Sequence, residues 1–354
     1  MKNIQRLQEL GQSLWLDHLS RELLTSGRLS LYIDTLGITG LTSNPTIYER
    51  ALKQGDAYTK AIAKKNRAGK SGEALLFELA LEDANHAADL FRPIHEATDG
   101  VEGWVSLEIS PLLADDTTGT IAAAARLYEQ AQFPNLLVNI PANGAGLLAI
   151  EALIFSGVPV NATLLFSSWH YAHAAEAYMR GIERRIEAGL DANVASVASV
   201  FISRWDAAVM NVVPSGLKNR LGIAVAATTY KVYREILASK RWQKLAAAGA
   251  RPQRLLWASA GNKDPDASDV LYIEALAAPQ TIITLPEKTL LAFASHGKVG
   301  TPLPPTGNDA EALLAEFAIS DIDDAELAER LQREGIDAFA QSWRNLLTEL
   351  EKQG

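Results

Sequence analysis

Short apolar runs alternate along this chain with longer segments whose apolar residues return every three or four positions. The runs are SLWLD at 13–17, ITGLTS at 38–43, GWVSLEIS at 103–110, LLVNIP at 136–141, VPVNATLLF at 158–166, VASVASVFIS at 194–203, RLLWAS at 254–259 and TIITL at 281–285. Several are apolar on both pleat faces or rich in Val and Ile, the pattern of strands covered on both sides. The spacers have room for crossover helices. In 71–95, Leu75, Leu76, Leu79, Leu81 and Leu90 stand with acids between them, and 121–131 follows the Thr/Gly-rich turn DDTTGT. Such alternation predicts a parallel sheet. Eight strands match closure into a (β/α)8 TIM-type barrel, and the first run lacks the Gly-x-Gly-x-x-Gly turn expected of a dinucleotide-binding open sheet.

Beyond the eighth run, Pro286 and Glu287 open a further helix, and the Pro/Gly-rich stretch 298–311 reads as a surface loop. Leu327, Leu331, Phe339, Trp343, Leu346, Leu347 and Leu350 then fall at helical steps. We read 308–354 as additional C-terminal helices covering the barrel, and 1–354 as one domain without internal repeats.

Composition narrows the function. A net charge of −9 on 354 residues argues against a nucleic-acid partner, and it requires any anion site to be a local cluster of cations and backbone N–H groups. The absence of cysteine excludes disulfides and thiol nucleophiles, and removes the usual soft ligands of a structural zinc site. The N-terminus lacks the apolar core and cleavage site of a signal peptide, and no stretch stays apolar for about 18 residues. The expectation is a cytoplasmic protein that does not engage a membrane. Homo-oligomer formation is left open.

The informative residues are polar ones inside or just after apolar strands, because burying an unpaired polar group costs about 1–3 kcal/mol. They are Asp17; Thr42, Ser43 and Asn44; Glu108; Asn139; Asn161 and Thr163; Ser199; Ser203 and Arg204; Ser259 and Lys263. In a barrel they converge at the C-terminal mouth, where carboxylates, a hydroxyl, amides and cations form an acid/base and anion site. Arg204 would hold a phosphate as a fork and Lys263 as a point charge. Taken singly, each is better explained as a satisfied core polar group; the joint pattern carries the argument.

Other motifs yield to plainer explanations. His170 and His173 have ligand spacing, but a packed or solvated helical pair accounts for them, and no acidic third ligand is expected beside them. Asn143-Gly-Ala-Gly146 reads as a strand-to-helix turn as readily as a phosphate loop. Trp169, Trp205 and Trp257 read as core or pocket wall rather than a base-stacking platform.

Several blocks resemble one known family in the right order. GLTSNPTIY (40–48), VNATLLFS (160–167), SVASVFISRWD (196–206), LLWASAGNKDP (255–265), DVLYIEAL (269–276) and TLPEKTLLAFASHG (284–297) are similar to the longer bacterial class of the transaldolase family, across nearly the whole chain. The resemblance implies a cofactor-free, metal-free barrel enzyme of the pentose phosphate pathway. It would move a dihydroxyacetone unit between sugar phosphates through an imine on a lysine amine. By that resemblance Asp17 is the general acid/base, and Glu108 and Thr163 handle proton transfers through a water. Asn44, Asn161 and Ser199 hold donor hydroxyls, Phe201 walls the site, and Arg204 with Lys263 binds phosphate.

One position departs from the pattern. Where the family reads approximately Val-Lys-Ile-Pro-Ala-Thr, this chain reads Val138-Asn139-Ile140-Pro141-Ala142-Asn143. An amide nitrogen, its lone pair delocalised, forms no imine with a ketone in water. Natural divergence, an engineered substitution that traps a complex, and recruitment of another amine all remain open. Two further readings stay open as well: a sugar-phosphate-binding or scaffolding relative without turnover, and aldol or isomerase chemistry by Asp17 and Glu108 without an imine.

Overall fold

The computed structural model describes residues 2–53, 56–307 and 309–352. Its eight strands are β1 Gln12–Asp17, β2 Gly40–Thr42, β3 Trp104–Glu108, β4 Leu136–Pro141, β5 Val160–Leu165, β6 Ser196–Phe201, β7 Arg254–Ala258 and β8 Thr281–Leu285. Each pairs in parallel with the next and β8 closes on β1, so the sheet is a barrel in chain order. All eight expected runs are strands. The differences are at their ends: residues 38 and 39 precede β2, and Ser203 starts the helix Ser203–Val209 instead of ending β6. That change puts Arg204 on a helical first turn above the sheet.

Outside the barrel, apolar strand faces pack on helices such as Gly72–Ala97, Gly144–Phe155 and Ser168–Glu187. Inside, a second cluster fills the lower barrel with Trp15, Leu137, Val197, Leu256 and Ile282. Trp15 stands level with Gly40 in the β1–β2 register, and a Cβ at Gly40 would overlap the indole ring. Large and small residues thus alternate to plug the interior, leaving chemistry to the upper layer.

The β5 strand breaks its own regularity. Leu164 is buried with φ +58°, and the pairing with β6 shifts register between Ala162 and Leu165. A left-handed branched residue costs about 1–3 kcal/mol and persists only where its surroundings impose it. The C-terminal helices do so. Helices Ala310–Ile319 and Asp324–Lys352 follow the loop after Glu287–His296, and Gln332 Nε2 donates to Leu164 O at 2.9 Å. Residues 308, 353 and 354 of the expected cover lie outside the described residues.

The same helix explains His170. Its ring is buried, accepting from Phe166 N at 3.2 Å and meeting Glu329 Oε1 at 2.9 Å through Nε2. An acid does stand beside it, far away in the chain. His173 packs its ring on Trp169 and reaches Trp169 O at 2.9 Å. Trp169 is a correction: it is 66 % exposed, whereas Trp205 and Trp257 are buried. Its place on the first turn of a helix facing solvent, beside His173, accounts for the difference. Among the described residues no helix is long and apolar enough to cross a membrane.

Asn143 caps the helix Gly144–Phe155, accepting from Gly146 N at 2.9 Å, and also donates to Ala114 O at 3.0 Å. The stretch 143–146 is therefore a strand-to-helix turn. Asn and Thr are both good caps, so this second departure from the family pattern has a structural explanation. Asn143→Ala is expected to cost about 1 kcal/mol in urea unfolding, and Asn143→Thr a few tenths.

Candidate functional site

Parallel closure brings all eight C-terminal strand ends to one mouth, which opens on a cavity of about 710 Å³. Asp17 ends β1 and Thr42 ends β2, with Ser43 and Asn44 leading into the helix Pro45–Lys53. Glu108 ends β3, Asn139 lies in β4, Asn161 and Thr163 in β5, and Ser199 and Phe201 in β6. Arg204 follows β6, and Ser259 and Lys263 follow β7. All of these line the cavity. Ser203 does not: it is fully buried and its hydroxyl meets Ser259 Oγ at 3.0 Å.

The centre of the site is a row of amides. Register sets Glu108 level with Asn139 and Asn139 level with Asn161 on adjacent strands. Asn139 Nδ2 donates to Glu108 Oε1 at 3.0 Å, while Ser106 Oγ donates to Asn139 Oδ1. Asn161 Nδ2 in turn donates to Ser106 Oγ at 3.0 Å, and Ser199 Oγ to Asn161 Oδ1 at 2.7 Å. Every donor in this chain points the same way, from Ser199 toward Glu108. Asn139 is thereby held at both ends of its amide, as a buried polar group requires.

A second network carries Asp17. Thr42 Oγ1 lies 3.1 Å from Asp17 Oδ1 and 2.8 Å from Thr284 Oγ1, and Asn44 Nδ2 reaches Asp17 Oδ1 at 3.5 Å. Asn44 is fixed by accepting from Ile47 N at 3.1 Å.

Burial separates the two carboxyls electrically. It pushes Asp17 up to about 6, against the hydrogen bond from Thr42 and the field of Lys263. It pushes Glu108 further, to about 8, because only Asn139 opposes it and the charge of Asp17 adds to the rise. Near pH 7 the site therefore holds an anionic Asp17 and a protonated Glu108, one proton acceptor and one proton donor on the same cavity.

Across the barrel from β2 and β3 sits the cationic side, formed after β6 and β7 by Arg204 and Lys263. Among the described residues neither makes an ion pair. At the opposite, N-terminal end a cavity of about 730 Å³ also opens, but Arg254 there is spent on Glu102 at 2.7 Å. Among the described residues no group of three or more His, Asp or Glu could hold a metal ion.

Sequence reasoning missed Ser106, Thr284 and Phe339. The first two are polar residues inside apolar strands, the criterion that found Asn139 and Asn161. Phe339 falls in the packing stripe of the C-terminal helix, and nothing local marks it as a cavity wall.

Known proteins are similar in sequence over nearly the whole chain. Residues 14–350 match the family described as transaldolase/fructose-6-phosphate aldolase. Proteins named transaldolase from Parafrankia sp. and Mycolicibacterium paratuberculosis are each 40% identical over 361 residues, covering 99% of this chain and 98% and 97% of theirs. One from Kocuria rhizophila is 42% identical over 353 residues, covering 97% of this chain and 96% of its own. With an eight-stranded barrel, a mouth of acid, amide and cationic side chains, and that extent of similarity, the chain belongs to the transaldolase/fructose-6-phosphate aldolase family.

Proposed function

We propose that the cavity binds a phosphorylated ketose, and that the reaction it is built for is transaldolase-type transfer of a dihydroxyacetone unit. In that reaction sedoheptulose 7-phosphate and glyceraldehyde 3-phosphate give erythrose 4-phosphate and fructose 6-phosphate. The imine route is closed at Asn139, so this chain holds its sugar phosphate without forming the covalent intermediate. The observation that carries this reading is the pairing, on one cavity, of a neutral amide row with a guanidinium that, among the described residues, no carboxylate contacts, Glu334 acting on it only through its field. Even half-buried, a cation gains from a partner, and a ligand phosphate supplies one with charge-assisted, bidentate hydrogen bonds.

Roles follow from chemistry. Asn44, Asn161 and Ser199 supply hydroxyl contacts, and Phe201 presents an apolar face to the sugar. Arg204 and Lys263 take the phosphate, while Asp17 and Glu108 stand ready to accept and give protons, with Thr163 of β5 on the same cavity as a relay through a water. Titration calorimetry with fructose 6-phosphate, run beside a coupled transaldolase assay and borohydride trapping, tests the reading. Binding without turnover or trapped adduct supports it; no binding overturns it. Arg204→Gln is expected to weaken fructose 6-phosphate binding by about 1.5–3 kcal/mol, the worth of a charge-assisted contact. Unchanged affinity would move the phosphate elsewhere.

A second reading rests on the separated carboxyls. With Asp17 ionised and Glu108 protonated near pH 7, a bound ketose could exchange a proton at the carbon beside its carbonyl, as in an isomerase, with no imine. Deuterium exchange into fructose 6-phosphate that survives borohydride treatment would favour it.

A further inference from the structure

Arg204 is half-buried and, among the described residues, makes neither an ion pair nor a hydrogen bond, yet its guanidinium is far from unconstrained. Two rings flank it, Phe201 of β6 at 5.2 Å and Phe339 of the C-terminal helix at 6.0 Å. Phe339 is buried and also lines the cavity. One turn earlier, Gly335 lets the helix come close: a Cβ there would stand 3.2 Å from Arg204 Nη1 and 3.0 Å from Leu164 Cδ2. The helix is anchored in this position by Gln332, which donates to Leu164 O at 2.9 Å and reaches Ala142 O at 3.4 Å.

Aromatic rings hold a guanidinium by its face and leave its N–H edge unsatisfied. A carboxylate in the same place would fix the side chain but consume that edge. We propose that the C-terminal helix is part of the anion-binding apparatus, with Phe339 and Gly335 as positioning residues that hold Arg204 ready for a phosphate and so make the pocket select phosphorylated over unphosphorylated sugars. This rests on the reading of the cavity as a sugar-phosphate site. The role is indirect, since both residues act on the ligand through Arg204. Gly335 leaves room for the guanidinium: a methyl group there would press on Arg204 Nη1 and Leu164 Cδ2, which must shift by a few tenths of an ångström to admit it.

The test is calorimetric titration of the full chain with fructose 6-phosphate and, separately, with fructose, on the parent, Phe339→Leu, Phe339→Tyr, Gly335→Ala and Arg204→Gln, each with a thermal melt. Phe339→Leu and Gly335→Ala are expected to weaken fructose 6-phosphate binding about three- to tenfold, the scale of a partly desolvated cation–π contact. They should leave fructose unchanged, and Phe339→Tyr should retain parental affinity. If Arg204→Gln loses phosphate selectivity while Phe339→Leu and Gly335→Ala keep it, the helix is only a cover and the inference fails alone. Parallel losses for both sugars, not rescued by Phe339→Tyr, would mark a structural role and also overturn it. If Arg204→Gln itself keeps the selectivity, the sugar-phosphate reading fails first.

Discussion

Asn139→Lys is expected to form a borohydride-trapped adduct with fructose 6-phosphate that the parent chain does not form, and to raise transaldolase turnover by about 10²-fold or more, the lower end of what positioned acid–base groups contribute. The side chain at 139 starts from the middle of a buried row, level with Glu108 and Asn161. An amine introduced there would be desolvated, which favours its neutral, nucleophilic form. Attack on the ketose C2 makes a carbinolamine, and the oxygen leaves as water once a proton reaches it; Glu108, protonated near pH 7, stands 3.0 Å from the present amide nitrogen and can supply that proton. The protonated imine then accepts the electron pair of the C3–C4 bond as Asp17 takes the C4 hydroxyl proton, releasing an aldose phosphate and leaving an enamine for the acceptor. The surrounding groups are already in place, so one atom type is missing rather than a site. Mass spectrometry after incubation with substrate and borohydride reads the result. A variant that melts like the parent, binds fructose 6-phosphate in a titration and still carries no adduct would show that the pocket has lost more than its amine.

Much of this was legible in the residue pattern, and the reason is local. A strand covered on both faces declares itself by its apolar run, and Glu108 or Asn139 stands out because it interrupts one. Chain-order closure then brings such interruptions together, so Asp17 and Lys263 meet across the mouth although they are far apart in sequence. What could not be read depends on contacts between distant elements. Phe339 is one more apolar step of a helix until the helix is laid on β5 and against Arg204. Glu329 becomes the partner of His170 only by the same docking, and Leu164 has nothing in its own sequence to announce a left-handed backbone. Thr284 and Ser106 were readable by the criterion already applied, and passing over them left both hydrogen-bond networks without their links.

The proton on Glu108 leads to the last large effect, on stability. In the unfolded chain this carboxyl titrates near 4.5, whereas in the folded barrel burial raises it to about 8. Between those values the folded state keeps a proton that the unfolded state has released, so unfolding is favoured progressively as pH rises from about 4.5 to 8 and the loss is complete above 8. At about 1.4 kcal/mol per pH unit the window amounts to a few kcal/mol, about 3–5. Glu108→Gln removes the titration while its carbonyl can still accept from Asn139 Nδ2. Urea unfolding is therefore expected to find the variant within about 1 kcal/mol of the parent near pH 4.5 and about 3–5 kcal/mol more stable near pH 9. Asp17, raised to about 6 for the same reason, titrates in both proteins; its window ends lower, and the gap between them continues to widen above pH 6. A difference that stays flat from pH 4.5 to 9 would mean that Glu108 ionises normally in the fold. It would then be an anion beside Asp17 near pH 7, unable to donate the proton that the isomerase reading and the imine chemistry of Asn139→Lys both require.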